Sequence, residues 1–261
     1  MPAFPIATVT PPYIKVETDL SYSLSSTTRA QHLIGAHVGG TYVFDGTIAY
    51  LRFWHGLALD ADQVAELYAL RIDPTPAPTA LPTLMPSLAP TLQPSLMPSP
   101  APTALPTLMP SPAPTVTALP TTSPTIVRAP DHEFDFRGCT DGAAVVDTFD
   151  ASINATAKNG ATCSEEGMVF DGSDDYVDLT SWEFGGEAMT VEAYVTYAAF
   201  NHQARLFTLC EGTYYSNQDA LQIINVLSTG ELSFQVCDPD SNSCGKLATD
   251  TLISTNAWVH I

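Results

Sequence analysis

Short runs in which apolar and polar residues alternate dominate residues 131–261 of the chain. In the run 191–197 every second residue is apolar, the run 232–236 alternates in the same way, and 221–226 is a further strand-like run. Segments rich in Gly, Asn and Asp separate these runs. Because a period of two is typical of a strand with one buried face, several such strands with polar turns predict an all-β sandwich.

Residues 1–73 add three strand-like runs and one helix. The runs are Tyr13–Glu17, Leu33–His37 and a long one from Phe44 to His55. Asp60, followed three residues later by Gln63, forms a capping box with Asp in place of Ser or Thr, and it predicts the start of a helix. Pro74 prevents that helix from continuing.

Three regions follow from this pattern: strands and a helix in 1–73, a linker in 74–130, and further strands in 131–261. Neither strand-bearing segment has enough strands to bury an apolar face, and each alone would leave strand edges unpaired. We therefore predict that the two segments pack together, since loop closure costs only logarithmically more as the linker lengthens. A domain-swapped dimer would satisfy the same strand edges, and a slice of a tandem array is a further alternative.

The linker has its own periodicity. A proline stands at every fourth position from Pro74 to Pro114, and the sequence Pro78–Ser87 recurs identically at Pro102–Ser111. No residue from Pro74 to Val127 is charged. Proline at this density removes amide donors and fixes φ, so the sequence predicts a disordered tether of polyproline II mixed with coil. It is interpreted as a spacer, with repeat expansion of no further role as the alternative.

Net charge narrows the choice of partners. The chain has 9 basic and 28 acidic residues, a formal net charge of −19, and most of the excess lies in 128–261. Such a surface repels phosphate backbones and anionic lipid, so we expect neither nucleic acid nor a membrane surface as a partner. It is compatible with Ca²⁺, and the candidate ligands are Asp171, Asp174 and Asp175, although solvated turn acids are the simpler interpretation. No other cofactor is expected.

All five cysteines follow the linker, and their spacing predicts two disulfides. Cys237 and Cys244 enclose a short polar loop, and Cys139 and Cys163 flank a longer one. Cys210 is left over, either free and buried or paired outside this sequence. Disulfides imply an oxidising compartment, with buried thiols in a reduced compartment as the alternative. The sequon at Asn154, in a predicted loop, is an N-glycosylation candidate if the chain is secreted.

Two sets of motifs resemble the laminin-G-like, concanavalin A-like family of jelly-roll domains. Residues 44–54 with 58–68 resemble the end of such a domain, and 170–178, 189–194 and 258–260 resemble its first two thirds. The resemblance implies two facing antiparallel sheets, hence an all-β antiparallel jelly-roll β-sandwich built from two chain segments. It also implies extracellular binding of glycans or proteins. Since no signal peptide or apolar spanning segment occurs in the chain, an extracellular location predicts that the chain is incomplete.

Catalytic motifs are missing from the sequence. Glycan hydrolases of this superfamily carry a carboxylate triplet on one strand, and the nearest match, Glu133 with Asp135, lacks its third member. We therefore expect no enzymatic activity and favour a binding module. A structural wall or matrix protein, in which the linker is the functional part, is the second hypothesis, and a glycan hydrolase is the third. Trp182 is the tryptophan that we expect on the surface as a sugar-stacking platform.

Overall fold

A computed structural model describes residues 24, 26–70, 128–211, 219–238, 243–249 and 252–261 of the chain. The predicted strand Tyr13–Glu17 and the linker from Pro74 to Val127 lie outside the described residues. The described part is mostly antiparallel β-strand with one helix, which confirms the all-β prediction. The elements are β1 (Thr27–Thr28), β2 (Gln31–Ile34), β3 (Asp45–His55), α1 (Ala61–Leu70), β4 (His132–Asp135), β5 (Val145–Val146), β6 (Asn154–Lys158), β7 (Thr162–Cys163), β8 (Met168–Asp171), β9 (Tyr176–Leu179), β10 (Glu183–Phe184), β11 (Met189–Ala199), β12 (Arg205–Cys210), β13 (Ala220–Asn225), β14 (Leu232–Asp238), β15 (Ser243–Ala248) and β16 (Trp258–His260).

The strands form two large sheets and a two-stranded ribbon, β1–β10. The six-stranded sheet has the order β16-β11-β3-β8-β7, with β4 also paired to β3. The eight-stranded sheet has the order β15-β14-β13-β12-β2-β9-β6-β5. Strands from both sides of the linker are neighbours in both sheets, because β3 lies between β11 and β8, and β2 lies between β12 and β9.

The pairing of β3 with β11 depends on a glycine at the start of β3. The strands match from Met189 opposite His55 to Ala199 opposite Asp45, with two register shifts. Gly46 has a φ of +152°, and a Cβ there would lie 2.1 Å from the Thr196 carbonyl oxygen. No other residue type allows the two backbones to approach so closely.

One apolar core lies between the two large sheets and draws on both chain segments. Ile48, Leu51 and Phe53 of β3 pack in the same cluster as residues of β11, β12 and β13. The rings of Phe53 and Phe207, which belong to different sheets, have centroids 5.8 Å apart. The alternation in 191–197 is as predicted, since Ala193, Val195 and Tyr197 are buried in this core.

Helix α1 begins as the capping box predicts. The Asp60 Oδ1 atom accepts hydrogen bonds from the backbone N–H of Asp62 at 3.0 Å and of Gln63 at 2.9 Å. The Gln63 Oε1 atom accepts one in return from the Asp60 N–H at 2.9 Å. The helix places Tyr68 against His260 of the six-stranded sheet, with ring centroids 5.6 Å apart.

Candidate functional site

A row of side chains crosses the outer face of the eight-stranded sheet. The strand registers place these residues directly opposite one another in turn: Lys246, Gln235, Gln222, Thr208, Leu33, Asp178 and Thr156. We call this set the polar row, because only Leu33 in it is apolar. Residues adjacent to it along the strands, such as Phe207, Ile223 and Val236, point into the core. The strand spacing of ~4.8 Å makes the row about 29 Å long.

Hydrogen bonds connect the middle of the polar row. Arg205 Nε donates to Gln222 Oε1 at 2.9 Å, and Gln222 Nε2 donates to Gln235 Oε1 at 3.1 Å. Gln235 Nε2 donates in turn to Ser233 Oγ at 3.4 Å. Since a guanidinium only donates, Arg205 fixes the orientation of both amides. Gln222 is fully buried and Gln235 is 5% exposed, so these amides are covered and bind each other, whereas Lys246 and Asp178 of the row are exposed.

The loop between β2 and β3 lies alongside this face. Its Gly35 N–H donates to the Leu206 carbonyl at 2.9 Å, and its Tyr42 carbonyl accepts from the Arg205 N–H at 2.8 Å. Val38 of the loop packs with Cys210 and with other residues at the end of the sheet. By strand alternation Cys210 lies on the same face as Thr208, so the loop covers this end of the outer face.

Thr208 is fully buried in the middle of the polar row, and its Oγ1 atom has no hydrogen-bond partner among the described residues. A buried hydroxyl without a partner costs about 1–3 kcal/mol of stability. Natural proteins rarely keep such a group without a compensating role. A ligand hydroxyl or an ordered water at this position would satisfy it.

The outer face of the six-stranded sheet is a second concentration of polar and aromatic side chains. In its registers Arg52 stands between Glu192 and Glu133, and Tyr50 stands between Tyr194 and Asp135. The Tyr194 and Trp258 rings stack with centroids 4.9 Å apart. Three carboxylates therefore share this face: the sequence shows Glu133 and Asp135 on one strand, and only the strand pairing adds Glu192 of β11.

Each of these three carboxylates is neutralised by a cation. Arg52 Nε lies 2.5 Å from Glu133 Oε1, and Arg52 Nη1 lies 3.3 Å from Glu192 Oε2. Arg137 Nη2 lies 2.6 Å from Asp135 Oδ2. Glu192 is also hydrogen-bonded to His260 Nε2. The arrangement cross-links four strands, β3, β4, β11 and β16, and pairs each of the three carboxylates with a cation.

The pKa shifts on this face oppose acid catalysis. Burial raises the pKa of Glu192, but the His260 hydrogen bond and the charges of His260 and Arg52 outweigh it and lower the pKa overall. Burial likewise raises the pKa of Asp135. The hydrogen bonds and the charge of Arg137 lower this pKa by more than burial raises it. A general acid in glycoside hydrolysis needs a raised pKa. Both groups are instead held as carboxylates.

The predicted metal-ligand candidates lie together in the turn between β8 and β9. Carboxylate oxygens of Asp171, Asp174 and Asp175 lie within 4.8 Å of one another. Asp175 Oδ2 accepts a hydrogen bond from the Asp171 N–H at 2.9 Å, and Gly172 has a φ of +75°. The turn geometry accounts for these acids without a metal ion, so Ca²⁺ binding stays a prediction.

A fourth carboxylate lies beside this turn, on the neighbouring strand β3 of the six-stranded sheet. Asp45 at the start of β3 stands directly opposite Asp171 of β8. Burial and the charge of Asp171 raise the pKa of Asp45. Like charges directly opposite each other in adjacent strands are destabilising. The contribution of Asp45 to stability is therefore present at low pH, when its carboxyl is protonated. It is lost as pH rises through the raised pKa of Asp45.

We expect the Asp45→Asn variant to be more stable than the wild type at neutral pH. The gain should be a few tenths of a kcal/mol, up to about 1 kcal/mol, because the carboxyl is largely solvated. Urea unfolding at neutral and acidic pH measures it, with Glu231→Gln as a charge-matched control. The gain should disappear at acidic pH and in excess Ca²⁺ if the ion binds these acids. A gain that persists at acidic pH contradicts the repulsion.

Both predicted disulfides are present. Cys139–Cys163 has a Cα–Cα distance of 5.5 Å, and Cys237–Cys244 joins β14 to β15. Cys210 is buried and belongs to neither of these two disulfides. The predicted positions of Asn154 and Trp182, by contrast, are wrong. Asn154 is not in a loop but begins β6, because its segment pairs with β5 and β9.

Trp182 is not a surface platform. It is 8% exposed, and its ring contacts His32 at 4.3 Å and Phe53 at 5.3 Å between centroids. The turn before it suggested exposure, but the indole points into the core between the sheets. His32 is buried beside it, and neither ring nitrogen of His32 has a hydrogen-bond partner among the described residues. Burial, with the nearby charges of Arg29 and His132, lowers the pKa of His32 to about 3, so it is a neutral core residue.

No family model, curated protein or solved structure matches the chain. Among the residues that the structure describes, no helix has the length and apolar character needed to cross a membrane. A function for the chain therefore has to be argued from its own residues, and the polar row is the strongest starting point.

Proposed function

We propose that the chain is a non-catalytic extracellular binding module that holds an extended glycan along the polar row. The supporting observation is Thr208, whose buried Oγ1 has no partner among the described residues in the middle of a line of amides and hydroxyls. Amides offer donors and acceptors side by side, which suits the hydroxyl groups of sugars. The exposed members of the row, Lys246 on one side and Asp178 on the other, are the positions at which a glycan first makes contact, because Thr208 and Gln222 between them are covered.

The proposed architecture is the jelly-roll sandwich of laminin-G-like domains, carried on a disordered proline-rich tether. The interleaving of strands from both chain segments supports it, because the end of one domain and the start of another then share one core. Two disulfides support an oxidising, extracellular location. In that location Asn154 becomes a glycosylation candidate, and a protein ligand is the alternative to a glycan.

Binding without catalysis is supported by the ion-paired carboxylates of the six-stranded sheet. Glu192 and Asp135 have lowered pKa values, and retaining hydrolysis needs one carboxylic acid that stays protonated. The second proposal is a structural wall or matrix protein, favoured by the linker's proline at every fourth position. Such a protein needs no sugar ligand, so a glycan array separates the two.

A glycan array followed by titration of two exposed positions tests the proposal. We expect Lys246→Met and Asp178→Asn, at the two sides of the polar row, each to weaken binding of the captured glycan by about tenfold, the loss of one charge-assisted hydrogen bond. Arg128→Met is the control, because Arg128 is an exposed cation beside His55 of the other sheet. Unchanged affinity in both row variants, or no glycan captured at all, contradicts the proposal.

A further inference from the structure

Arg205 differs from every other arginine that the structure describes. Arg29, Arg52, Arg128 and Arg137 each form a salt bridge with a carboxylate. Arg205 is 5% exposed, yet no described carboxylate contacts it, although the chain has 28 acidic residues. The lack of a carboxylate beside Arg205 is therefore due to its place in the fold, since acidic residues are abundant in the chain.

The neighbours of Arg205 are neutral. Its Nε donates to Gln222 Oε1, its Nη1 donates to the Gln203 carbonyl, and its guanidinium lies 5.1 Å from the centroid of the Tyr42 ring. Burial lowers the pKa of Arg205 to about 10, which still leaves it protonated at neutral pH. A buried charge without an opposite charge is costly, because the interior solvates it poorly.

The free hydrogens of Arg205 form a binding fork. No described residue accepts a hydrogen bond from Nη2, and Nη1 carries a second hydrogen besides the one that it donates to Gln203. A planar carboxylate takes two parallel N–H bonds from these two nitrogens, which is the strongest arrangement for a guanidinium. The fork lies at the edge of the polar row, since Gln222 belongs to that row.

The ring of Tyr42 lies beside this fork. Tyr42 is 42% exposed, and the centroid of its ring lies 5.1 Å from the guanidinium. Its φ is +53°, a left-handed conformation that is uncommon for a residue other than glycine. Strained residues of this kind cluster at ligand sites.

We infer that Arg205 binds the carboxylate of an acidic sugar, with Tyr42 beside it, at the edge of the polar row. The inference rests on the proposed glycan binding and deepens it, because it assigns the ligand class as a uronic-acid polymer. A protein with a net charge of −19 repels such a polymer at long range. The buried guanidinium therefore acts as a selective contact and not as a general electrostatic attraction.

Two probes test the inference on the whole chain: an oligogalacturonate, whose carboxyl groups are charged, and its fully methyl-esterified form, whose carboxyl groups are neutral and carry an added methyl. We expect wild-type protein to bind the acid roughly tenfold to hundredfold more tightly than the ester, the range of one charge-assisted contact. Arg205→Met should abolish this preference. Equal affinities of the two probes for the wild type would overturn the acidic ligand while leaving glycan binding intact.

A matched pair of variants at Tyr42 keeps the inference testable if Arg205→Met does not fold. Tyr42→Glu places a carboxylate within reach of the guanidinium, whereas Tyr42→Gln has the same size and no charge. We expect a higher Tm for Tyr42→Glu than for Tyr42→Gln, and loss of the acid preference only in Tyr42→Glu. Should neither probe bind, the proposed function fails, and the Tm comparison still decides whether Arg205 lacks an anion. Equal Tm values would overturn the inference.

Discussion

A single cut in the proline-rich linker between residues 75 and 125 is expected to leave the two products bound to each other under native conditions. The products share both large sheets, with β3 paired to β11 on one side and to β4 and β8 on the other. Both disulfides lie within the later segment, so no covalent bond would join the products. Their association then measures only the strand pairing and the shared core.

The expected strength of this association follows from the core. The earlier segment contributes large side chains that are at most 3% exposed, among them Ile34, Phe44, Ile48, Leu51 and Phe53. Each such side chain gains about 1.5–3 kcal/mol on burial, so five give on the order of 10 kcal/mol. Domains of this size have a total stability of about 5–15 kcal/mol. We therefore expect a chain that begins at residue 126 to be unable to fold alone.

A protease site introduced into the linker, followed by size-exclusion chromatography with mass measurement, tests this result. Gly46→Val should weaken the association strongly, because the new Cβ would lie 2.1 Å from the Thr196 carbonyl in β11. Gly142→Ala is the control: Gly142 also has positive φ, at +75°, but a Cβ there meets nothing within 4 Å. Products that separate at once without denaturant would show that the two segments do not share a core.

The mass also distinguishes a monomer from a domain-swapped dimer. One copy of each product per particle indicates that the segments of one chain pair with each other. Two copies of each, together with an uncut dimer, indicate exchange of β2 and β3 between chains. The same strand pairs and the same core form in both cases, so the mass alone separates them.

The elements of this fold were predictable where one local rule governs them. The alternation in 191–197 and 232–236 corresponds to β11 and β14, and the capping box at Asp60 gives the start of α1. The predicted strand Leu33–His37 is wrong at its end, since β2 stops at Ile34 and Gly35 turns with a φ of +82°. Local alternation does not indicate where pairing with a neighbouring strand ends.

The candidate site was not predictable, because register brings its parts together. Gln222, Gln235 and Thr208 are ordinary polar positions of three strands until the pairing of β12, β13 and β14 aligns them. The contacts of Arg205 depend in addition on a loop from the other chain segment, which carries Tyr42. Trp182 shows the same limit, since only the packing of both sheets decides on which side of the chain its ring lies.

The second large effect, on the stability of the fold, is expected on substitution of Glu192. This is the most deeply buried of the three carboxylates on the outer face of the six-stranded sheet. It is 4% exposed and contacts Arg52, His260 and Tyr50. Removing one partner of a buried ion pair leaves the other charge without compensation. We expect Glu192→Ala to lower the free energy of unfolding by about 3–5 kcal/mol at neutral pH.

Glu192→Gln separates the charge from the packing, because glutamine keeps the shape of the side chain. The pKa of Glu192 is lowered in the folded protein, so its carboxylate stabilises the fold above the pKa that it has in the unfolded chain. That contribution is lost as pH falls through the folded pKa. We therefore expect the stability difference between wild type and Glu192→Gln, measured by urea unfolding, to be largest at neutral pH and to shrink progressively in acid.

The exposed loop substitution Glu165→Gln is the matched control, since it removes the same charge from a residue without such partners and should change little at any pH. If the difference between wild type and Glu192→Gln is constant from neutral to acidic pH, the ionised carboxylate does not stabilise this face. A shrinking difference, by contrast, assigns the ion pairs with Arg52 and His260 to cross-linking β3, β11 and β16. That outcome leaves the eight-stranded sheet, with its buried threonine hydroxyl and its arginine lacking a described carboxylate, as the face suited to a ligand.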